Sequence, residues 1–202
     1  MQLKSDPYGI IVSGVGGQGN ILIARLLGRV YAAQGFTVSI SETFGAAQRG
    51  GSVFSSLRIS KDRLYGPLPP LGQADLVIGL EPMETLRMLT RFGNPRVAAI
   101  ANDKPVYPVG VLTGEQDYPD VGELKQAVKE LSSASWFVPA TDIALELGGP
   151  IMANIVMLGA LLGTGVTGLE KAQVADDVSR TVPRDKVEVN LKALSRGMEA
   201  VG

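Results

Sequence analysis

The alternation of apolar and polar positions along the chain predicts strands and helices in turn. An apolar run at 9–13 is typical of a buried parallel strand, and helical spacing follows over 20–30. Further strands are predicted at 36–41, 52–59, 75–80, 96–102 and 135–139, and further helices at 81–91, 121–131, 142–147, 151–162 and 185–198. Strands that alternate with helices are typical of βαβ units. We therefore predict a three-layer α/β/α fold with a Rossmann-like, mostly parallel sheet, as a single domain over 1–202.

Three local patterns refine this prediction. The segment 105–119 is rich in proline and glycine and is predicted to be a loop. Thr141 precedes a helical segment and is predicted to cap it. The segment 151–162 has no polar face, which predicts a central helix. Asn154 within it is interpreted as a buried amide that satisfies a neighbouring loop, with a role at a subunit interface as the second interpretation.

Composition excludes several kinds of chemistry. With 45% hydrophobic residues, 19% charged residues and a net charge of −1, the chain has no overall field that attracts nucleic acid or an anionic membrane. It has no cysteine, so it forms no disulfide and ligates no iron–sulfur cluster through thiolates. It has no histidine, which excludes Ser–His pairs and histidine-ligated zinc. No metal site is expected, and no catalytic residue stands out.

The N-terminus and the longest apolar segment indicate where in the cell the protein is located. Residues 1–7 lack the apolar stretch of a signal peptide. The segment 151–162 is too short to span a bilayer. We expect a cytoplasmic protein without a membrane span.

A glycine motif follows the first strand and opens the first helix. Gly14, Gly16 and Gly19 form a G-x-G-x-x-G pattern that also contains Gly17 and Gln18. In this position the glycines allow a tight turn and a close approach to the backbone, and the start of the helix offers N–H groups to an anion. Phosphate binding is favoured over a turn that is glycine-rich only for close packing.

A second candidate segment follows the second strand. Glu42 stands at the C-terminal end of that strand, and Gln48, Arg49, Gly50 and Gly51 form the loop beyond it. A guanidinium beside flexible glycines suits a carboxylate or phosphate, while a hairpin with a solvated arginine is the alternative. Both glycine segments leave the carboxyl edge of the sheet, where open α/β sheets bind ligands, so they can face one ligand together.

Two further polar residues end strands at the same edge. Glu81 and Asn102 follow the fourth and fifth predicted strands, and each is a candidate for lining the crevice. For Glu81 we favour a role as an acid in the first turn of a helix, where it complements the helix dipole.

The two glycine segments, taken in order, resemble a known family. The chain is similar to the gamma domain of the 2-oxoacid:ferredoxin oxidoreductases, and among these to the small subunits of the indolepyruvate type. The resemblance covers 8–197 and depends on the segments 14–19, 41–43, 48–53, 74–77, 81–84, 153–160 and 190–194. Gln48 before Arg49 distinguishes the chain from the pyruvate and 2-oxoglutarate relatives, which implies an aryl or branched-chain 2-oxoacid.

The resemblance implies a division of labour. Such enzymes oxidatively decarboxylate a 2-oxoacid, join the acyl group to coenzyme A and pass two electrons to ferredoxin. It implies a hetero-oligomer whose larger subunit carries thiamine diphosphate and the iron–sulfur clusters, while this chain holds no cofactor alone and is inactive alone. By resemblance, Gly14, Gly16, Gly17, Gln18 and Gly19 meet the diphosphate of coenzyme A. Arg49 and its glycines then contact the same ligand or the partner subunit.

Two alternatives of other classes remain open. One is a self-sufficient oxidoreductase that binds NAD(P) or flavin at the glycine motif, with Glu42 on the ribose. The other is a regulatory binding module that senses a nucleotide or an acyl-CoA.

Overall fold

The computed structural model describes residues 2–43 and 51–201. Its strands are β1 (Tyr8–Val15), β2 (Thr37–Glu42), β3 (Ser52–Ser60), β4 (Leu76–Gly79), β5 (Ala98–Asn102) and β6 (Ala134–Val138). Its helices are α1 (Asn20–Ala33), α2 (Pro82–Phe92), α3 (Val109–Leu112), α4 (Val121–Glu130), α5 (Ala140–Glu146), α6 (Ala153–Gly163), α7 (Lys171–Thr181) and α8 (Val187–Glu199).

The six strands form one sheet in the order β2-β3-β1-β4-β5-β6. β1, β4, β5 and β6 are parallel, while β3 is antiparallel to both β1 and β2. The prediction of a mostly parallel sheet is confirmed. β3 lies between β2 and β1 and is antiparallel to both, so β2 runs in the same direction as β1. All five parallel strands therefore end at one edge, called here the carboxyl edge.

Helices cover both faces of this sheet, as predicted. Successive residues of β1 point to opposite faces. Ile10 packs into a core with Ile23 of α1 and Leu158 of α6, whereas Ile11 packs with Phe92 of α2 on the other face. The three-layer α/β/α prediction is therefore confirmed.

α6 is buried along nearly its whole length and crosses α8 at backbone contact. A Cβ atom built on Gly159 of α6 would lie 2.0 Å from the carbonyl oxygen of Leu194. One built on Gly197 of α8 would lie 2.0 Å from the carbonyl oxygen of Val156. The predicted central position of α6 is confirmed, and the two glycines permit this close crossing.

Two helices lie where none was predicted. α3 interrupts the predicted loop over 105–119, and α7 lies within 163–184, where no element was predicted. The start of α7 has a capping signal, since the Gln173 Oε1 accepts a hydrogen bond from the Glu170 N–H at 3.1 Å. Val174 and Val178, four residues apart, form its buried face. This narrow apolar stripe among charged residues explains why the helix is inconspicuous in the sequence.

The predicted cap of α5 is wrong. The helix begins at Ala140, one residue before the predicted cap, so Thr141 lies inside the first turn. Asn102, at the end of β5, supplies the cap instead. Its Oδ1 accepts from the Thr141 N–H at 3.3 Å, and its Nδ2 donates to the Thr141 Oγ1 at 2.9 Å. A residue 39 positions away in the sequence therefore caps this helix.

Candidate functional site

The glycine motif forms the turn that joins β1 to α1 at the carboxyl edge. Gly17 and Gly19 have φ values of +101° and +90°, which lie in the left-handed region that favours glycine. Gly19 is the N-cap of α1 and offers no side chain to the first N–H groups of the helix. These groups have no acceptor within the helix, so an anion is a suitable partner for them.

The glycines of this turn serve different purposes. A Cβ atom on Gly14 would lie 2.7 Å from the Gln18 Oε1, and one on Gly19 would lie 2.3 Å from the Asn154 Nδ2. A Cβ atom on Gly17 would meet no described atom within 4 Å. Close packing therefore accounts for Gly14 and Gly19, while Gly17 faces open space. The buried Asn154 of α6 packs directly against the glycine turn.

Gln18 uses its side-chain amide to hold the turn. Its Oε1 accepts from the Val15 N–H at 2.7 Å, and its Nε2 donates to the carbonyl oxygen of Leu80 at 2.9 Å. The amide thus spans the end of β1 and the segment after β4. Contact between Gln18 and a ligand stays a prediction.

A cleft of about 370 Å³ opens beside the turn. Gly17 and Gln18 form one wall, Lys104 and Val106 a second, and Ile151 lies on a third. The Lys104 Nζ lies 3.4 Å from the Asp142 Oδ1, and both side chains are about half exposed. The cleft therefore combines N–H groups and a cation with an apolar lining. Such a lining suits a ligand that has an anionic part and an apolar part.

Gly51, the one described residue of the second glycine segment, lies against the glycine turn. The Gly16 N–H donates to the carbonyl oxygen of Gly51 at 2.9 Å, immediately before β3. Gln48, Arg49 and Gly50 lie outside the described residues, so their predicted roles stay predictions.

Glu42 is held by a neighbour on α1. The Arg25 Nε and Nη2 donate to its two carboxylate oxygens at 2.7 Å and 2.9 Å. A ribose hydroxyl would have to compete with this bidentate pair or use the remaining lone pairs of the carboxylate. Contact between Glu42 and a ligand stays a prediction.

Glu81 lies in a second cleft, of about 250 Å³, and caps α2. Its Oε2 accepts from the Glu84 N–H at 2.8 Å, which confirms its predicted place at the start of a helix. Its Oε1 accepts a hydrogen bond from the Tyr118 hydroxyl. Burial raises the pKa of Glu81, and burial together with the bond to Glu81 raises the pKa of Tyr118. Glu84 beside it accepts from the Ser52 hydroxyl.

Asn102 uses its amide within the fold. In addition to capping α5, its Nδ2 donates to the carbonyl oxygen of Leu80 at 3.1 Å. Leu80 therefore receives hydrogen bonds from both Gln18 and Asn102. Asn102 stabilises the wall of the site from behind, and its side chain is buried.

Lys104 and Tyr118 line the two candidate clefts, and the sequence predictions missed both of them. Lys104 comes two residues after the end of β5, so the rule that ligands bind at carboxyl ends of strands points to it. Tyr118 has no comparable signal, because its partner Glu81 lies 37 residues away in the sequence.

Two negative findings concern residues 2–43 and 51–201. Within these ranges no group of three or more Asp and Glu side chains is arranged to hold a metal ion. None of the helices in the described part of the chain is long and apolar enough to cross a membrane.

Comparison with known proteins identifies the family. The model of the pyruvate ferredoxin/flavodoxin oxidoreductase family matches residues 9–200. The chain belongs to this family. The family membership confirms the prediction from the paired glycine segments, and the chain is a small subunit of a 2-oxoacid:ferredoxin oxidoreductase.

Three of the proteins that resemble this chain in sequence or in fold are the following. The indolepyruvate oxidoreductase subunit IorB of Pyrococcus horikoshii is 35% identical over 96% of this chain and 95% of its own length. The ketoisovalerate oxidoreductase subunit VorA of Methanothermobacter marburgensis is 27% identical over 93% of this chain, but the match covers 35% of its own length. A solved structure of the 2-oxoglutarate:ferredoxin oxidoreductase of Magnetococcus marinus, with 2-oxoglutarate, coenzyme A and succinyl-CoA bound, has the same fold. Its TM-score is 0.73 at 21% identity, over 98% of this chain and 31% of that chain.

Proposed function

We propose that this chain is the small subunit of a cytoplasmic, coenzyme A-dependent oxidoreductase that acts on an aryl-pyruvate-like 2-oxoacid. The observation that carries the substrate class is the 35% identity to an indolepyruvate oxidoreductase subunit over nearly the full length of both chains. In the reaction, the 2-oxoacid anion and the thiol form an acyl-CoA, carbon dioxide, one proton and two electrons. Ferredoxin takes the two electrons.

The larger partner subunit carries the thiamine diphosphate and the iron–sulfur clusters. This chain contains no cysteine and no histidine, so its own side chains provide neither thiolate nor imidazole ligands for a cluster. Electron transfer to ferredoxin therefore needs groups on another chain. The 2-oxoacid is decarboxylated on that chain, and this subunit presents coenzyme A.

The cleft beside the glycine turn receives part of coenzyme A. Its diphosphate lies at the start of α1, at Gly14, Gly16, Gly17, Gln18 and Gly19, where N–H groups favour a negative charge. The pantetheine arm lies against the apolar wall that includes Val106 and Ile151. Gln48, Arg49, Gly50 and Gly51 contact the same ligand or the partner. The hydrogen bond from the Gly16 N–H to the Gly51 carbonyl oxygen supports this for Gly51.

Anaerobic purification of the native complex through a tag on this chain tests the proposal. We expect a larger, cysteine-rich subunit to co-purify with iron and thiamine diphosphate. With coenzyme A and ferredoxin, the complex should form acyl-CoA from indolepyruvate and phenylpyruvate faster than from pyruvate or 2-oxoglutarate. A cofactor-free chain from active cells would overturn the proposal. A preference for pyruvate would overturn only the substrate class.

A further inference from the structure

Exposed apolar side chains lie in the cleft at the carboxyl edge of the sheet and in the segment that continues along the chain from Val106. Val109, Leu112 and Ile151 are 74%, 71% and 77% exposed, and Val106 and Tyr107 are nearly half exposed. We call these five residues the apolar rim. Val106 and Ile151 both line the cleft, and Val109 and Leu112 lie three residues apart on one face of α3. Single exposed apolar residues are ordinary, but such a group marks an interaction surface.

The segment that carries most of this rim is folded back and anchored. Tyr118 donates to the buried Glu81, and its ring packs edge-on against Tyr107 with 5.0 Å between ring centroids. Within the segment, the Glu115 and Gln116 N–H groups both donate to the Gly110 carbonyl, at 2.8 Å and 2.9 Å. The apolar side chains therefore face outward from an ordered structure.

The rim is uncharged, while its border is polar. Residues 105–112 contain no charged side chain, whereas Lys104, Glu115 and Asp117 flank them. An apolar centre with a polar border is the usual composition of a stable protein interface. The surface that would pack against the apolar rim is an apolar, uncharged patch on a protein partner.

We propose that the apolar rim is the surface on which the larger subunit docks, an inference that rests on the proposed function. In VorA and in the 2-oxoglutarate enzyme the matched domain is about a third of a longer chain. In those proteins the domain adjoins further parts of the same chain, and here a separate chain takes their place. The acyl group must also travel from that subunit to the thiol of coenzyme A. The partner therefore has to meet this chain at the mouth of the cleft, which the rim borders.

The cysteine-free sequence allows a direct test. Leu112→Cys and Leu64→Cys each introduce a single thiol at side chains that are 71% and 72% exposed. Leu64 lies between β3 and β4, at the opposite edge of the sheet, and serves as the matched control. Each variant complex is purified anaerobically and labelled with a maleimide, and the mass of this chain gives the labelling rate. The same complex unfolded in guanidinium provides the reference.

We expect the thiol at position 112 to react at least about tenfold more slowly than the one at position 64 in the intact complex. Equal rates at the two positions in an active complex would overturn the docking surface and leave the proposed function standing. If no larger subunit with thiamine diphosphate co-purifies with the unmodified chain, the proposed function itself fails.

A second pair of variants measures assembly. The first is the double variant Val109→Ser, Leu112→Ser, which removes the apolar face of α3. The second is the double variant Leu64→Ser, Leu71→Ser, which makes the same kind of change at exposed positions elsewhere. These side chains are exposed, so both variants should fold. When each variant is purified through a tag on this chain, we expect at least about tenfold less of the larger subunit with the first variant than with the second. Equal recovery would overturn the inference.

Discussion

Gln18 is joined to Leu80 by a hydrogen bond of 2.9 Å from the side-chain Nε2 to the carbonyl oxygen. The same amide accepts from the Val15 N–H through its other end. The Gln18 amide therefore links the glycine turn to the segment after β4, and both border the candidate coenzyme A cleft. A residue expected to touch the ligand also holds the shape of the site.

Gln18→Ala should destabilise the protein. The substitution leaves the Val15 N–H and the Leu80 carbonyl without this partner, which lowers the free energy of unfolding by about 1–3 kcal/mol. Urea denaturation of the purified chain measures the change. Gln126→Ala on the exposed side of α4 is the control and should be nearly neutral. Equal stability of both variants would show that the Gln18 amide does not support the turn.

Lys104→Glu should weaken coenzyme A binding. The Nζ lies at the border of the cleft, paired only loosely with Asp142 at 3.4 Å, so it is available to a phosphate. Replacing a cation with an anion should raise the KM for coenzyme A about tenfold or more. The KM for the 2-oxoacid should stay unchanged in the steady-state assay of the complex. Lys129→Glu on α4 is the control, and an equal effect there would point to a general charge effect.

NADH should not bind to this chain. Both carboxylate oxygens of Glu42 accept from Arg25, so a ribose hydroxyl would compete with a bidentate ion pair for this acid. A titration followed by NADH fluorescence should show no saturable change, which corresponds to a Kd weaker than about 1 mM. Saturable binding that Glu42→Gln abolishes would instead favour a nucleotide-dependent oxidoreductase.

Gly159→Ala should disrupt the crossing of α6 and α8. The added Cβ would lie 2.0 Å from a backbone carbonyl oxygen, which a side-chain rotation cannot relieve. We expect a loss of about 3 kcal/mol, at the upper end of the usual overpacking cost. Gly66→Ala, where a Cβ would meet no described atom within 4 Å, is the control. Thermal unfolding distinguishes the two, and similar Tm values would contradict the packing argument.

Glu81 should make the stability of the protein depend on pH. Burial raises its pKa above the ordinary value of 4.5, so the folded protein binds more protons than the unfolded chain above that pH. The stabilising contribution of the protonated form is thus complete below pH 4.5 and is lost as the pH rises through the folded-state pKa. We compare the free energy of unfolding of the unmodified chain with that of Glu81→Gln by denaturation at several pH values. The unmodified chain should lose stability relative to the variant as the pH rises from 4.5 through the folded-state pKa of Glu81. A difference independent of pH would show that the pKa of Glu81 is not raised.

Local patterns were sufficient to predict much of the fold and to choose the candidate site. β1, α1 and α6 follow from their apolar spacing, and the glycine motif between the first two follows from its context. The carboxyl edge follows from the order of the elements, because parallel strands end together. Glu81 at the start of α2 is likewise a local signal, since a helix favours an acid in its first turn.

The tertiary structure decided which side chains are paired and how the sheet is ordered. β3 lies antiparallel between β2 and β1, Asn102 caps α5, and Arg25 holds Glu42. The sequence by itself determined most of the elements, the glycine turn and the family, because these depend on neighbouring residues and recurring motifs, whereas α3 and α7 became evident only in the structure. Gln18 bonds to Leu80, Asn102 to Thr141 and Tyr118 to Glu81, over 62, 39 and 37 positions of the sequence. Their hydrogen bonds depend on how the packed layers bring distant segments together, and no local spacing encodes that distance.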